Sequence, residues 1–375
     1  MKILVISVAG IGDSLLATPL IRALREQFPD ATIDALVMWA GAKDLLENNP
    51  CLHTIYQQNF FKESALSNLR FLWRLREGRY DISINTYPQS KIHYRFIARL
   101  INAQKRLGHR YKNHSGLDGW LTNLTIPEDY TVHCIENNLN LLKLLGVPLP
   151  AKTLLPEIFL SAEEKQWAED FTNKHRLKGR TLAAIHVGSG KTKNLVLKRW
   201  PIDSYIALIQ RLLAAYPSLT VLLFGGPEER EDNEKILEAI HAPEILPVAS
   251  RTMRQASALL KTCDLFLSVD NAFMHLGAAM KVPRQIVIES PTFNKTIEPY
   301  QRPFRLVPNP MVAGRNLHYY RYDGRDIQGT TEHLLACMRS ISPQAVFERV
   351  QNALAEKIPG DAAFNQSMES QRSPL

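Results

Sequence analysis

Short apolar runs alternate with amphipathic stretches along most of the chain. The run "KILVISV" at 2–8 is continuous and β-branched, which is typical of a strand buried on both faces. The stretch after it, "LLATPLIRALREQF", repeats apolar residues every three or four positions, as one face of a helix does. Pro19 interrupts this pattern, so we expect the helix to kink or to restart there, with Thr18 as its N-cap. Further strands are predicted at 32–38, 80–87, 181–187, 219–225, 264–269 and 284–289, and further helices at 60–78, 132–146, 201–217, 227–240, 256–263, 271–280 and 343–357.

This alternation predicts an α/β fold with two Rossmann-like halves, each built from right-handed βαβ units around a parallel sheet. The pattern pauses at 147–158, "VPLPAKTLLPEI", where three prolines indicate a domain boundary. Ser161 and Glu164 then form a capping box for a new helix. The predicted domains are 1–150 and 151–342, followed by a C-terminal helix and a disordered tail in 343–375. Such sheets bind ligands at their carboxyl ends, so we expect a ligand in the cleft between the domains.

The amino-acid composition indicates which kinds of binding partner and which cell compartment to expect. The 375 residues suit two domains, and Lys and Arg exceed Asp and Glu by 45 to 37, a formal net charge of +8. This excess favours a phosphorylated, lipid or nucleic-acid partner, although a merely solvated surface is the plain alternative. The four cysteines lie far apart without a C-x-x-C pair, so we expect free thiols and no zinc site. The first apolar run is too short for a signal peptide, and no window approaches the ~18 apolar residues of a membrane span, so we expect a cytoplasmic protein.

The glycine loop after the strand at 181–187 resembles the end of an ATP-binding P-loop. That motif requires a glycine five residues before Gly190, where this chain has Ile185, and a helix starting at Lys191-Thr192. Neither requirement is met, so the sequence argues against an ATPase. The exposed amides of a Gly-Ser-Gly loop with nearby lysines still favour a diphosphate site, with a basic surface loop as the alternative.

Two other strand ends carry candidate chemistry. Asp270 and Asn271 lie between a strand and a helix, where Asn serves as a cap and the helix start also attracts anions. His275 follows one turn later, where packing is the alternative to a ligand contact. Asp13 stands in the glycine turn after the first strand, and it is either an N-cap or a general base facing the cleft. Gly12 beside it permits a close approach to the backbone.

Together these motifs resemble glycosyltransferase family 9, the lipopolysaccharide heptosyltransferases. The resemblance extends over about residues 1–295 and lies in the order of four motifs: "GDSLLATPLIRAL" (12–24), "GSGKTKNLVLKRWP" (188–201), "FGGPEER" (224–230) and "DNAFMHLGAAMKVP" (270–283). It implies a GT-B fold and an inverting, metal-independent transfer of a heptose from an ADP-sugar, which is a co-substrate, with no cofactor. The resemblance implies these roles: Asp13 as general base and Lys198 as stabiliser of the leaving diphosphate, within a donor site of Gly12, Ser189, Gly190, Lys198, Glu228 (or Glu229), Asp270, Asn271, Ala272 and His275.

The last motif departs from the family pattern. Asn271 replaces Ser or Thr, Ala272 replaces Gly and Phe273 replaces Pro. Ala272 adds a Cβ where the family's backbone approaches the diphosphate. Either an altered donor pocket or a degenerate one is therefore compatible with the sequence.

The acceptor side is predicted from a basic and aromatic segment at 91–114. We expect it to bind an anionic glycolipid, such as the lipopolysaccharide core, with peripheral contact to the inner face of the membrane. The predicted acceptor residues are Arg95, Arg99, Lys105 and Arg106. Nucleic-acid binders also mix basic and aromatic residues, but part of this segment has the apolar stripe of a core helix, and we favour the glycolipid. The competing functions are a GT-B sugar-nucleotide epimerase and a non-catalytic protein that binds nucleotide sugars or glycans.

Overall fold

The computed structural model describes residues 1–112, 116–321 and 325–356. Within these ranges the chain forms two six-stranded parallel sheets flanked by helices. The strands are β1 (Lys2–Ser7), β2 (Thr32–Val37), β3 (Thr54–Gln57), β4 (Ile82–Asn85), β5 (Lys105–Arg110), β6 (Leu124–Pro127), β7 (Thr181–His186), β8 (Leu219–Phe224), β9 (Ile245–Pro247), β10 (Leu265–Val269), β11 (Arg284–Ile288) and β12 (Arg305–Val307).

The α-helices of the same ranges lie on both faces of the sheets. They are α1 (Ile11–Leu16), α2 (Thr18–Gln27), α3 (Ala40–Leu46), α4 (Ala65–Glu77), α5 (Ile92–Ile101), α6 (Asp118–Leu121), α7 (Cys134–Asn140), α8 (Ala162–Lys174), α9 (Ile202–Ala215), α10 (Arg230–Ile240), α11 (Met253–Leu260), α12 (Ala272–Ala279), α13 (Asn316–Tyr319), α14 (Thr331–Arg339) and α15 (Pro343–Ala355). Short 3-10 helices occupy Leu141–Leu145 and Leu195–Lys198.

The strand orders are β3-β2-β1-β4-β5-β6 and β12-β11-β10-β7-β8-β9. Counted from its own first strand, each sheet has the order 3-2-1-4-5-6 of dinucleotide-binding folds, which confirms the predicted α/β class. The order reverses between β1 and β4 and again between β7 and β10. Loops at the carboxyl ends of these four strands therefore open at the places where such sheets bind ligands.

The first sheet has a core on each face because β1 is apolar on both. Leu4 and Ile6 pack with α4 and α5 on one side, whereas Ile3 and Val5 pack with α2 on the other. The second sheet repeats this arrangement around β7, β8 and β10.

Several sequence predictions can be compared directly with the helices. Of the two outcomes expected near Pro19, a kink or a restart, the helix restarts, with Thr18 as its first residue. The predicted Thr18 N-cap is wrong: Ala17 is the cap, and the Thr18 hydroxyl donates to the Leu15 carbonyl at 2.7 Å. The capping box of α8 is confirmed in both directions. The predicted helix at 343–357 is α15, which packs against α9, β11 and β12, and the predicted tail beyond residue 356 lies outside the described residues.

The two domains touch through helices beside the carboxyl edges of the sheets. Helices α1 and α3 pack against α12 and α11 of the second domain. The Asp44 carboxylate at the end of α3 accepts from the backbone N–H of Arg254 at 3.2 Å. A second contact joins α7 to the segment after β11, where the Cys134 N–H donates to the Thr296 carbonyl at 2.8 Å. These contacts bring the carboxyl ends of β1 and β10 to one cleft.

Candidate active site

Asp13 lies in the first turn of α1, directly after β1, and its side chain is partly exposed at the cleft. Burial raises its pKa to about 7, and the nearby positive charges of Lys193 and Lys198 only partly oppose this rise. The carboxylate folds back against Gly10, where a Cβ would lie 2.7 Å from Oδ2. Tyr94 of α5 lies near Asp13. Burial, and to a lesser extent the negative charge of Asp13, raises the pKa of Tyr94 to about 12. Asp13 is thus a carboxylate that gains and loses its proton near neutral pH.

Across the cleft, Lys198 ends the 3-10 helix and is buried in a polar network. Its Nζ donates to Asp270 Oδ2 at 2.9 Å and to Thr292 Oγ1 at 3.1 Å. Asp270 also accepts hydrogen bonds from the hydroxyls of Ser290 and Thr292. An ammonium group has three N–H donors, so these two bonds leave Lys198 one donor for a ligand.

The start of α12 is held by Asn271, as the sequence predicted for a cap. Its Oδ1 accepts from the Met274 N–H at 3.0 Å, and its Nδ2 donates to the Gly188 carbonyl at 2.8 Å. The amides at the start of a helix have no intrahelical acceptors, and Asn271 satisfies that of Met274. Helix α12 therefore presents the positive end of its dipole beside the glycine loop, an arrangement that suits an anion.

His186, at the end of β7, belongs to the site although the sequence did not single it out. Its ring stacks on Phe273, with centroids 4.1 Å apart, and Asn271 Nδ2 lies 3.1 Å from its Nδ1. Burial, helped by the charge of Arg199, lowers its pKa to about 3. The imidazole is therefore neutral, and its Nε2 lies 4.0 Å from Glu229 Oε2.

The glycine loop is braced by Arg199. The guanidinium donates to the Ser189 carbonyl at 2.7 Å and to Asp232 at 2.8 Å, and it lies 3.4 Å from Glu229. The Ser189 hydroxyl donates to the Leu195 carbonyl at 2.8 Å. Gly190, the next residue, is exposed. The loop can therefore offer backbone N–H groups to a ligand, whereas the serine side chain stabilises the loop. No helix begins at Lys191-Thr192, in line with the argument against a P-loop.

Two neighbouring glutamates follow β8 and differ in their surroundings. Glu228, the predicted ribose contact, is exposed, whereas its alternative Glu229 is buried. Glu229 Oε2 accepts from the Gly226 N–H at 2.9 Å, and burial raises the pKa of this carboxyl. Glu229 also fills the space where a Cβ on Gly188 would lie, so this position requires glycine.

Gly12 and His275 meet where the domains touch. A Cβ on Gly12 would lie 3.0 Å from His275 Cδ2 and 3.4 Å from Ala272 Cα. His275 is 8% exposed, and within the described residues its Nδ1 has no hydrogen-bond partner. Burial lowers its pKa to about 3, so it is neutral. Gly12 therefore allows α1 and α12 to approach closely, and the Cβ of Ala272 faces this contact.

The four predicted acceptor cations are not brought together at the cleft. Arg95 is buried and donates to Asp118 at 2.6 Å, and Arg106 donates to the carbonyls of Leu121 and Ala103. Lys105 and Arg106 begin β5, and Lys105 pairs in register with Ile82 at the amino edge, away from Asp13. The Arg99 guanidinium lies 4.5 Å from the Trp120 ring.

The described residues contain neither a metal cluster nor a membrane-spanning helix. Within 1–112, 116–321 and 325–356, no group of three or more His, Cys, Asp or Glu side chains is placed to hold a metal ion. In the same ranges, no helix combines the length and apolar character needed to cross a membrane.

The family model that matches this chain and two proteins similar to it all belong to the heptosyltransferases. The model of glycosyltransferase family 9 (heptosyltransferase) matches residues 68–319. Lipopolysaccharide heptosyltransferase 3 of Escherichia coli is 26% identical, covering 82% of this chain and 91% of that protein. Lipopolysaccharide heptosyltransferase 2 of Salmonella typhimurium is 27% identical, covering 95% of this chain and 99% of that protein.

A solved structure shows the same architecture. ADP-heptose lipopolysaccharide heptosyltransferase II of E. coli superposes with a TM-score of 0.68 at 22% identity, covering 94% of this chain and 98% of that one. This likeness concerns the fold, and it confirms the predicted GT-B arrangement of two Rossmann-like domains around a cleft.

Proposed function

This chain belongs to glycosyltransferase family 9, and from that premise we propose that it is an inverting transferase. Its donor is an ADP-heptose or a related ADP-sugar, and its acceptor is the lipopolysaccharide core or another anionic glycolipid. The lipopolysaccharide heptosyltransferases of E. coli and Salmonella typhimurium described above support the sugar and the acceptor. The reaction takes place on the cytoplasmic side of the membrane, where the enzyme makes peripheral contact. No cofactor takes part.

One observation carries the mechanism: a carboxylate with a pKa of about 7 faces a buried lysine and a helix start across the cleft. A general base works best when its pKa lies near the working pH, because it is then both ionised and basic enough to take a proton. Asp13 meets this condition because of burial.

The transfer step moves one proton and one sugar. Asp13 takes the proton of the acceptor hydroxyl as that oxygen forms a bond to the anomeric carbon. On the opposite face, the bond from the anomeric carbon to the diphosphate oxygen breaks, and its electron pair leaves with ADP. Attack from the face opposite the leaving group inverts the anomeric centre. The products are the glycosylated acceptor, ADP and a proton that Asp13 later releases to solvent.

The leaving diphosphate gains negative charge in this step. The remaining N–H of Lys198 and the amides at the start of α12 stabilise that charge, and the backbone of Ser189 and Gly190 adds donors. Asp270 holds Lys198 in place, and its second oxygen, which accepts from the Ser290 hydroxyl, is the proposed sugar contact. These groups act without a metal ion in the proposed reaction.

The remaining donor contacts concern the nucleoside and the cleft. Glu228 is exposed in the loop after β8. It is the proposed ribose contact, with buried Glu229 as the alternative. His275 supports the phosphate site from α12, where it packs on Gly12.

The test compares wild type with Asp13→Ala in two assays. Calorimetric titration measures binding of ADP-heptose, and coupled ADP release measures transfer to a purified, heptose-deficient lipopolysaccharide core. The proposal expects near-normal binding and at least about a hundredfold loss of transfer, the usual effect of removing a general base. A variant that keeps near-normal turnover refutes Asp13 as the base. Isomerised donor formed without acceptor indicates an epimerase, and tight binding without transfer in the wild type indicates a binding protein.

A further inference from the structure

Two neighbouring helices of the first domain turn large apolar side chains toward solvent. These side chains are 38–58% exposed, and we call them the α4–α5 platform: Leu66, Leu69, Trp73, Ile92, Phe96 and Leu100. Contiguous exposed apolar surface on a globular protein marks an interaction site more often than isolated residues do.

The platform is not a by-product of helix packing. With 100° per residue, Leu66, Leu69 and Trp73 lie on one side of α4, opposite the buried Phe71 and Leu75. An ordinary surface helix is polar on the side that faces solvent. Helix α4 is therefore apolar on two opposite sides, and only one of them serves the core.

Helix α5 repeats this arrangement beside α4. Ile92, Phe96 and Leu100 recur every four residues, whereas Ile97 and Ile101 are buried. Both helices pack on the same face of the first sheet, where they share one core. Their outward sides therefore point away from the same face of the sheet, and the two helices pack side by side.

Aromatic contacts extend this surface at both ends. Phe96 meets the exposed Trp120 edge to face, with centroids 6.4 Å apart. At the other end, exposed Phe61 lies 6.2 Å from the ring of His93, which follows Ile92 in α5, and 6.5 Å from Trp39. The Trp39 Nε1 donates to the Ala9 carbonyl at 3.0 Å. The platform thus reaches the loop that carries Asp13.

The charges around the platform are mostly positive. Helix α4 carries three arginines and one glutamate, and α5 adds Arg99, because its other arginine, Arg95, is buried against Asp118. The Arg76 guanidinium lies 5.3 Å from the Trp73 ring, and that of Arg99 lies 4.5 Å from the Trp120 ring. Aromatic rings at the interface and arginines that reach the head groups are the residues by which surface helices bind anionic bilayers.

We propose that the α4–α5 platform docks on an anionic lipid bilayer. Apolar and aromatic side chains enter the head-group region, and the arginines contact lipid phosphates. Docking would present a membrane-anchored acceptor to the loop that carries Asp13, and this benefit rests on the proposed function. Binding to lipid itself does not require transfer.

The test uses the full-length protein and vesicles without any glycan, made of one part phosphatidylglycerol to two parts phosphatidylcholine. Co-sedimentation compares wild type with Leu69→Glu and Trp73→Glu, and Leu149→Glu is the matched control because Leu149 is 44% exposed in the linker. Each platform variant should lower the partition coefficient about tenfold, because it removes one apolar side chain from the lipid. The control should bind like wild type. Vesicles with brominated acyl chains should quench the fluorescence of wild type more than that of Trp73→Phe.

A parallel assay measures transfer to a delipidated, water-soluble core, and the platform variants should retain it. Platform variants that bind vesicles as wild type does overturn the proposal, as does a wild type that does not bind. A concentration-dependent dimer that Trp73→Glu dissociates also overturns it, because the surface is then an interface between copies. Vesicle binding without any transfer by wild type refutes the proposed function and leaves the docking intact.

Discussion

Replacing Asp13 by Asn tests the site more sharply than its removal does. The amide keeps the shape of the side chain in its position against Gly10 but can neither ionise nor take a proton. Two opposite effects should follow: loss of transfer and gain of stability.

The effect on activity follows from the pKa of about 7. If ionised Asp13 is the base, the wild-type kcat/KM should increase with pH and level off above neutrality. The ionised fraction is about 9% at pH 6 and about 91% at pH 8, so kcat/KM should increase roughly tenfold between them. Asp13→Asn should lose at least about a hundredfold and show no such inflection.

The effect on stability comes from the same burial. Folding raises the pKa of Asp13 from 3.8 to about 7, so the folded state binds more protons than the unfolded state between these values. The ionised carboxylate therefore destabilises the fold, and this cost increases from pH 4 to pH 7 and is constant above. At ~1.36 kcal/mol per unit, roughly three units give about 4 kcal/mol.

Urea unfolding at pH 5 and pH 8 measures this cost. The variant should be more stable than wild type by up to about 4 kcal/mol at pH 8, and its advantage at pH 5 should be less than half of that. Glu169→Gln on the exposed side of α8 makes the same change of charge and is the matched control, which should alter neither profile. Equal stabilisation at both values of pH, or an unchanged kcat/KM inflection, would refute the assignment of this pKa to Asp13.

Three further substitutions test the contacts around the cleft. Lys198→Ala leaves the Asp270 carboxylate buried without its cation, so urea unfolding should show a loss of about 3–5 kcal/mol and calorimetry a weaker affinity for ADP-heptose. An unchanged stability would contradict the buried pair. Arg254→Met removes the buried guanidinium that joins α11 to carboxylates of α3 and α8, and it should destabilise by about 3 kcal/mol in the same urea assay. Gly12→Ala places a Cβ 3.0 Å from His275 Cδ2, so kcat/KM should fall about tenfold while the melting temperature changes little, and full activity would show that α1 and α12 separate without cost.

The interior strands could be predicted from the sequence because they are buried on both faces. β1, β7, β8 and β10 are nearly continuous apolar runs of five or six residues. The edge strands, and β5 inside the first sheet, were missed for the complementary reason. β5 reads "KRLGHR" and β12 is only three residues long, so partners in the sheet rather than hydrophobicity determine them.

The residues of the candidate site that lie at the ends of buried strands could be predicted from the sequence. Glycine, Asp and Asn at the carboxyl ends of buried strands indicate a ligand edge, and that reasoning needs no distances. The partners of these residues come from other strands. Ser290 and Thr292 contact Asp270 from the loop after β11, and Glu229 reaches Arg199 from the loop after β8. Such pairs depend on the order of the strands in the sheet, and the local sequence pattern carries no information about that order.

The altered motif at the start of α12 can be weighed on these contacts. A donor site that had decayed would be expected to keep the fold and lose the contacts that serve only the ligand loops. Instead, the two bulkier replacements interact with one residue: Phe273 stacks on His186, and Asn271 joins the same ring to the Gly188 carbonyl. His186 in turn faces Glu229, which holds the loop after β8. Because side chains from three strand ends fit one another, the replacements form a consistent set that still holds the glycine loop against the helix start. These contacts favour a maintained donor pocket with altered walls over a degenerate one.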